Sequence, residues 1–251
     1  MKIHLRFLGN GLLGQLVRAV IILVVIVVSS IVAFFAGIFS LHKDSTTRLK
    51  TIMSIVKWLS YVMHDFMIGK IIFKGEENLR QAKRPVIFVS NHESYWDAIT
   101  MPVILQPTVF TIKRYVLFIP FAGWTISLTP VIKVDGGIFG WKRKNKQIVL
   151  EKSKNELKKG NSLFFYSQGT RVRDGSRPPF KKGAARLSLE TNIPIIPIAV
   201  NSIKIWSGVL LTKTGDVTIS FGKPVYPEGK TVEELTEELE KWVYEERSTL
   251  D

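Results

Sequence analysis

A histidine and an aspartate five positions apart, His92 and Asp97, are the residues of this sequence best suited to moving a proton. They lie in Asn91-His92-Glu93-Ser94-Tyr95-Trp96-Asp97, directly after the apolar run Pro85-Val86-Ile87-Phe88-Val89-Ser90, which reads as a short buried strand. An imidazole titrates near neutral pH, and a carboxylate beside it can hold one tautomer and stabilise the protonated ring. On one continuous helix, five positions set side chains roughly 140° apart, so the two would not meet. They meet if His92 sits on the turn and Asp97 lies in the first turn of the helix that follows. Ser94-x-x-Asp97 has the spacing of an N-cap followed by an acid at the third helical position, which fits that arrangement. The same spacing also fits an aspartate that only caps a helix and a histidine that only bonds a backbone carbonyl.

A second strand, Ser162-Leu163-Phe164-Phe165-Tyr166, runs into Ser167-Gln168-Gly169-Thr170-Arg171. A glycine after a strand lets backbone approach a ligand closely. A hydroxyl and a guanidinium beside it can bind a phosphate, the guanidinium through two parallel bonds. Taken alone, Gly-Thr-Arg is also an ordinary polar turn. The charge distribution points toward acidic partners. The net charge is +14, and between Thr111 and Arg186 stand 17 Lys/Arg against four Asp/Glu. Phosphates, anionic lipid, nucleic acid and an acidic carrier protein would all be attracted, and a solvated basic surface has the same composition. With no cysteine there is no thiol nucleophile, disulfide framework or zinc–thiolate site. His4, His42, His64 and His92 form no ligand-spaced pair, so no metal site is expected.

The elements that would position these residues fall in two parts. Ala19 to Leu41 is a run of 23 residues without a charge, long enough to cross a bilayer. From Thr47 to Phe73, apolar residues recur at three- and four-residue steps, with Trp58 and Tyr61 among them, as in an amphipathic helix suited to an interface. Both flanks of the first run are basic, so the positive-inside rule gives no clean orientation. Those flanks and the amphipathic second helix favour a hairpin lying in one leaflet over a single span. Residues 1–73 therefore read as a membrane-associated helical segment and residues 75–251 as a second domain. In that domain, strands at Val86–Ser90, Val109–Lys113, Val131–Lys133, Ser162–Tyr166, Ile195–Asn201 and Val217–Phe221 alternate with helices at Trp96–Leu105, Lys144–Lys159 and Ala184–Glu190. This pattern predicts an α/β fold, a largely parallel twisted sheet flanked by helices. Thr231-x-x-Glu234 opens a final amphipathic helix over Val232–Glu246.

Taken in order, these blocks resemble the glycerophospholipid acyltransferase family, above all its bacterial 1-acylglycerol-3-phosphate acyltransferases. Asn91-His92-x-Ser94-x-x-Asp97 resembles the first block of that family. Lys113-Arg114 with Ile119-Pro120-Phe121-Ala122-Gly123-Trp124, continuing to Val134-Asp135, resembles the second. Gly169-Thr170-Arg171 resembles the third, and Phe180-Lys181-Lys182-Gly183-Ala184 and Ile193-Pro194-Ile195-Ile196-Pro197-Ile198 resemble the segments after it. Two positions depart from the pattern: Gln168 stands where the family usually has glutamate, and Gly136 where it often has arginine. Gln168 keeps shape and hydrogen bonding but not charge. Lys133, Lys113 or Arg114 would have to take the place of the arginine.

The resemblance implies transfer of a fatty acyl group from a thioester to the 2-hydroxyl of lysophosphatidic acid, giving phosphatidic acid. It implies His92 and Asp97 as the catalytic pair and Lys113, Gly169, Thr170 and Arg171 at the substrate phosphate. Backbone N–H groups around Gly169 or at the helix start after Asn91 would be available to a developing oxyanion. No cofactor is implied; the acyl donor would be a substrate carried by acyl carrier protein or coenzyme A. The site would work at the cell membrane, against membrane lipid, with the catalytic domain facing the cytoplasm. The rival is a basic peripheral membrane protein that binds anionic lipid without chemistry, which leaves the ordered blocks unexplained. A nucleic-acid partner is not expected, since the apolar segment has no place in one and no base-stacking motif is evident.

Overall fold

The computed structural model describes residues 11–105, 107–134, 146–172, 175–206, 208 and 212–250. Five strands run parallel: β2 (Ile87–Ser90), β3 (Thr108–Lys113), β4 (Val131–Val134), β5 (Ser162–Tyr166) and β6 (Ile195–Val200). Strand β7 (Gly215–Phe221) pairs antiparallel with β6, and β1 (Ile68–Lys74) pairs parallel with β7. The order across the sheet is β1-β7-β6-β2-β5-β3-β4. Side chains alternate across these strands, and both faces are covered. Phe88, Phe164, Ile196, Ile198 and Ile219 pack with Ile22, Leu59, Trp96 and Met101 on one face. Ile87, Val89, Leu163, Ile195 and Ala199 pack with Leu157, Leu187, Leu235, Leu239 and Val243 on the other. The first layer comes from helices α1 (Leu12–Phe39), α2 (Ser45–Met67) and α4 (Tyr95–Ile104); the second from α6 (Lys146–Lys158), α7 (Gly183–Thr191) and α8 (Val232–Ser248). Two further short helices are α3 (Glu76–Gln81) and α5 (Ala122–Ser127).

The mostly parallel sheet flanked by helices is the expected fold class. One element differs. The amphipathic helix expected to reach Phe73 stops at Met67, and Ile68–Lys74 is the first strand of the sheet. The apolar residues Ile71, Ile72 and Phe73 satisfy a helical stripe and a strand equally well, and the partner strand that decides between them lies some 145 residues away in β7.

Helix α1 has 28 residues, about 42 Å of length. Among the described residues it is the one helix long and apolar enough to cross a membrane. It folds back antiparallel on α2 through a short turn, and one stripe of it is buried along the domain: Arg18, Ile22, Ala33 and Gly37. The opposite stripe, including Leu13, Leu16, Val20, Leu23, Val27 and Phe35, is exposed. Contacts run from end to end. The Arg18 guanidinium donates to the Thr212 carbonyl at 3.2 Å, Thr125 Oγ1 donates to the Ser30 carbonyl at 3.3 Å, and Phe34 meets Phe121 and Trp124 edge-on or tilted at 5.8 and 5.5 Å. In α2, Ile52 and Leu59 face inward while Trp58 and Tyr61 face out.

The turn that carries Lys113 away from the sheet depends on Gly123. A Cβ there would lie 2.3 Å from the Val116 carbonyl oxygen and 2.6 Å from the backbone of Leu117, in the 3-10 helix Arg114–Phe118. Backbone cannot swing aside as a side-chain tip can. Gly123→Ala should therefore destabilise the fold by roughly 1–3 kcal/mol. The expected drop in melting temperature is a few degrees or more, read by thermal unfolding of the detergent-solubilised protein.

Candidate active site

Sheet register places three loops side by side. Ser90 in β2 is level with Tyr166 in β5, and Phe110 in β3 is level with Phe164. His92, Lys113 and the segment Ser167–Arg171 therefore leave the same edge of the sheet at the carboxyl ends of adjacent parallel strands, where open α/β sheets bind ligands.

His92 lies on the turn and Asp97 in the first turn of α4, as the spacing predicts. His92 Nδ1 is 3.2 Å from Asp97 Oδ2. Asp97 also serves as a cap: the same oxygen accepts the N–H groups of Glu93 at 2.8 Å and Ser94 at 2.9 Å. Its other oxygen accepts the hydroxyl of Ser202 and lies 3.2 Å from that of Ser94. Asp97 is fully buried. Burial alone would push its carboxyl up. The His92 hydrogen bond and charge, with the Ser202 hydroxyl and Ser94 N–H, outweigh burial and hold it below the usual carboxylate range. An ionised Asp97 accepting from Nδ1–H leaves Nε2 of His92 with the free lone pair. The imidazole is slightly exposed and stacks on the Tyr166 ring, with centroids 3.9 Å apart and planes 18° from parallel.

The loop is held in place by side chains. Asn91 bridges to β6, donating to the Val200 carbonyl at 2.8 Å and accepting the Val200 N–H at 3.0 Å. Gln168 Oε1 accepts the His92 N–H at 2.8 Å. Four of the backbone donors in the loops expected to serve an oxyanion are engaged: those of Glu93 and Ser94 by Asp97, that of His92 by Gln168, and that of Gly169 by the Tyr166 carbonyl at 2.9 Å. Side chains are the other source of positive charge near the site.

That charge is present. Desolvation lowers the pKa of Lys113, and the neighbouring positive charges of Lys181 and Arg171 lower it further. The Arg171 guanidinium lies 3.5 Å above the centre of the Tyr95 ring, and its Nη1 is buried without a hydrogen-bond partner. Among the described residues, none of the three cations is paired with a carboxylate. Gly169 has φ +71°, and Lys181 crosses it so closely that a Cβ would fall 2.0 Å from Nζ. Three like charges gathered without a carboxylate partner among the described residues are suited to an anion. Lys113 and Arg171 were legible in the sequence. Lys181 was not singled out, although it stands in Phe180-Lys181-Lys182-Gly183-Ala184, a block whose second basic residue, Lys182, pairs instead with Glu233. Thr170 is exposed, as is Lys133 on β4. Asp135 and Gly136 lie outside the described residues. No group of His, Asp and Glu that could hold a metal occurs among the described residues.

A histidine–aspartate pair beside cations that have no carboxylate partner among the described residues, on the carboxyl edge of a mostly parallel sheet, is an arrangement suited to proton transfer next to an anion. The comparisons with known proteins narrow it. Residues 70–201 match the family described as Acyltransferase, and the chain belongs to that family. It is 31% identical over 172 residues to a chloroplastic 1-acyl-sn-glycerol-3-phosphate acyltransferase of Brassica napus, covering 67% of this chain and 48% of the relative. It is 27% identical over 180 residues to the 1-acyl-sn-glycerol-3-phosphate acyltransferase of Pseudomonas aeruginosa, covering 68% of this chain and 66% of the relative. The chain thus spans about half to two thirds of the length of these relatives. The crystal structure of the 1-acyl-sn-glycerophosphate (LPA) acyltransferase PlsC from Thermotoga maritima superposes with a TM-score of 0.76 at 20% identity, over 94% of this chain and 95% of that one. It shares the fold.

Ser202 is a residue that sequence reasoning missed. It reaches Asp97 from 105 positions away and also accepts the Ser94 hydroxyl at 2.8 Å. Ser202→Ala should leave Asp97 Oδ1 short of a donor, which costs roughly 1–3 kcal/mol for a buried group. Thermal unfolding should show the loss, and turnover should fall together with it; a melting temperature unchanged from the parent would mean that Asp97 does not depend on Ser202.

Proposed function

We propose that the protein transfers a fatty acyl group from a thioester to the 2-hydroxyl of lysophosphatidic acid, giving phosphatidic acid. The observation that carries this reading is the His92–Asp97 pair facing one side of a site whose other side is the Lys113–Arg171–Lys181 cluster. The cations would hold the glycerol phosphate, with Gly169 letting backbone and the Lys181 side chain come close. Nε2 of His92 would take the hydroxyl proton as the oxygen attacks the thioester carbonyl. The C–S bond would then break, and the departing thiolate would take the proton back from the imidazolium. Asp97 keeps Nε2 unprotonated at the start and stabilises the imidazolium in between. Cations next to a developing oxyanion stabilise it further. The attack is direct, with no acyl-enzyme and no cofactor. The donor would be carried by acyl carrier protein or coenzyme A, both suited to the basic surface, and no nucleic acid is required.

The same reading gives the N-terminal helices their role. Helix α1 touches the domain at both ends and in the middle while its outer stripe of leucine, valine and phenylalanine faces away. A helix standing across a bilayer could not be gripped along its length by a domain outside it. We propose that α1 and α2 lie in one leaflet as a hairpin, with the catalytic domain at the cell membrane on its cytoplasmic side. Exposed Phe118, Ile119 and Trp124 extend the apolar surface toward the cation cluster. The lysolipid would then reach the site without leaving the membrane.

Two experiments test this. In mixed micelles with lysophosphatidic acid and an acyl thioester, His92→Ala should lower turnover by roughly 10²–10⁴-fold. Arg171→Ala should raise the KM for the acceptor by on the order of 30-fold, with little change for the donor, as loss of a charged contact worth about 2 kcal/mol predicts. Near-normal turnover in His92→Ala would overturn the reading in favour of a lipid-binding protein without chemistry. For the anchor, single cysteines at Gly11 and Lys43 can be labelled in sealed vesicles, since no native cysteine interferes. Labelling of both from the side of the catalytic domain is expected; protection at position 11 alone would mean a single span.

A further inference from the structure

We infer that the C-terminal helix α8 belongs to the catalytic apparatus: Tyr244 and Arg247, three residues apart on one of its faces, clamp the His92 loop from behind and are positioning residues for acyl transfer. The inference rests on the acyl-transfer reading above. The stretch that matches the family ends at residue 201, so α8 lies beyond it.

The contacts form two arms. In the first, Tyr244 accepts a hydrogen bond from Gln168 Nε2 at 3.1 Å and donates its own proton to the Pro178 carbonyl at 2.5 Å, while Gln168 Oε1 accepts the His92 N–H at 2.8 Å. In the second, Arg247 Nε donates to Glu93 Oε1 at 2.5 Å, and Glu93 Oε2 accepts the Ile203 N–H at 3.1 Å. One arm thus ends on the backbone of His92 and the other on the side chain of the next residue. Gln168, Glu93 and Tyr244 are buried, so water does not compete for these bonds. Burial raises the Glu93 carboxyl to about 7, against the pull of Arg247. Helix α8 can bear the load because it is itself fixed. Leu235, Leu239 and Val243 sit in the core, Glu240 accepts the Phe180 N–H at 2.6 Å, and Thr231 with Glu234 closes its first turn.

The first arm also accounts for glutamine at position 168. An amide accepts from His92 and donates to Tyr244 at the same time. A carboxylate could only accept on both sides, and Tyr244 would have to turn its proton away from Pro178. Proton transfer needs reacting atoms held to within a fraction of an ångström, so a clamp on the backbone of the base acts on turnover rather than on substrate affinity.

The test uses the full chain and four α8 variants. Tyr244→Phe removes one oxygen, Arg247→Met removes a charge, Arg247→Lys restores it, and Glu237→Ala on the exposed face is the control. Tyr244→Phe and Arg247→Met should each lower kcat by about ten- to a hundred-fold. Both KM values should stay within about two-fold, the pattern of an interaction that matters in the transition state. Arg247→Lys should recover most of the loss, and Glu237→Ala should lose nothing. In parallel, ¹⁵N-histidine spectra report the His92 ring directly, its signal assigned by its disappearance in His92→Ala. That signal should shift or broaden in Tyr244→Phe and Arg247→Met and stay in place in Glu237→Ala. Unchanged kcat per folded molecule together with an unmoved His92 signal overturns the clamp. Should the parent protein not acylate lysophosphatidic acid, the functional reading fails separately, and the His92 signal still decides whether α8 holds the loop.

Discussion

A carboxylate with no access to water is the constraint around which this site is built. Asp97 is ionised and buried, and an ionised group taken out of water is tolerated only when its lone pairs are filled. Two backbone N–H groups, the Ser202 hydroxyl and the His92 ring fill them. Each donor fixes something else: the two N–H groups fix the turn between β2 and α4, Ser202 fixes the segment after β6, and the ring fixes the tautomer of His92. The spacing that caps the helix and the spacing that brings Asp97 to the His92 ring are one spacing. Capping the helix does not prevent Asp97 from contacting the His92 ring.

The cations are arranged on the opposite logic. Burial and the charges of Lys181 and Arg171 lower the pKa of Lys113, and none of the three cations is paired with a carboxylate among the described residues. Evolution of a stable fold alone would pair or disperse them. Their gathering makes sense for a ligand that brings the missing negative charge, and a phosphate ester does. The sheet supplies the gathering, because β3 and β5 are neighbours and their carboxyl ends are level.

The helices on the two faces of the sheet present different surfaces. On one face, α1 and α2 lie against the domain while turning leucine, valine and aromatic side chains outward. On the other, α8 packs its leucines in the core and sends Tyr244 and Arg247 to the back of the His92 loop. In the proposed reaction the outward apolar surface would present the acceptor and the clamp would hold the proposed base.

The sequence by itself determined what depends on near neighbours. Strands β2 to β7 and helices α4, α6 and α7 follow from apolar runs and turn residues, and His92 with Asp97 follows from a five-residue spacing across one turn. Lys113 and Arg171 stand at recognisable strand ends. Tertiary structure alone decided the rest, because the deciding partners are far away in the chain. The segment Ile68–Lys74 is a strand only because β7 lies beside it. Ser202, Tyr244 and Arg247 enter the site across 105, 76 and 154 residues, as donors or acceptors to groups whose need for them appears only on burial. Helix α1 has the composition of a membrane span. That it lies along the domain is set by contacts such as Arg18 to Thr212, 194 residues apart. Hydropathy measures how much an isolated helix prefers an apolar medium, and only packing says which of its sides the protein itself will cover.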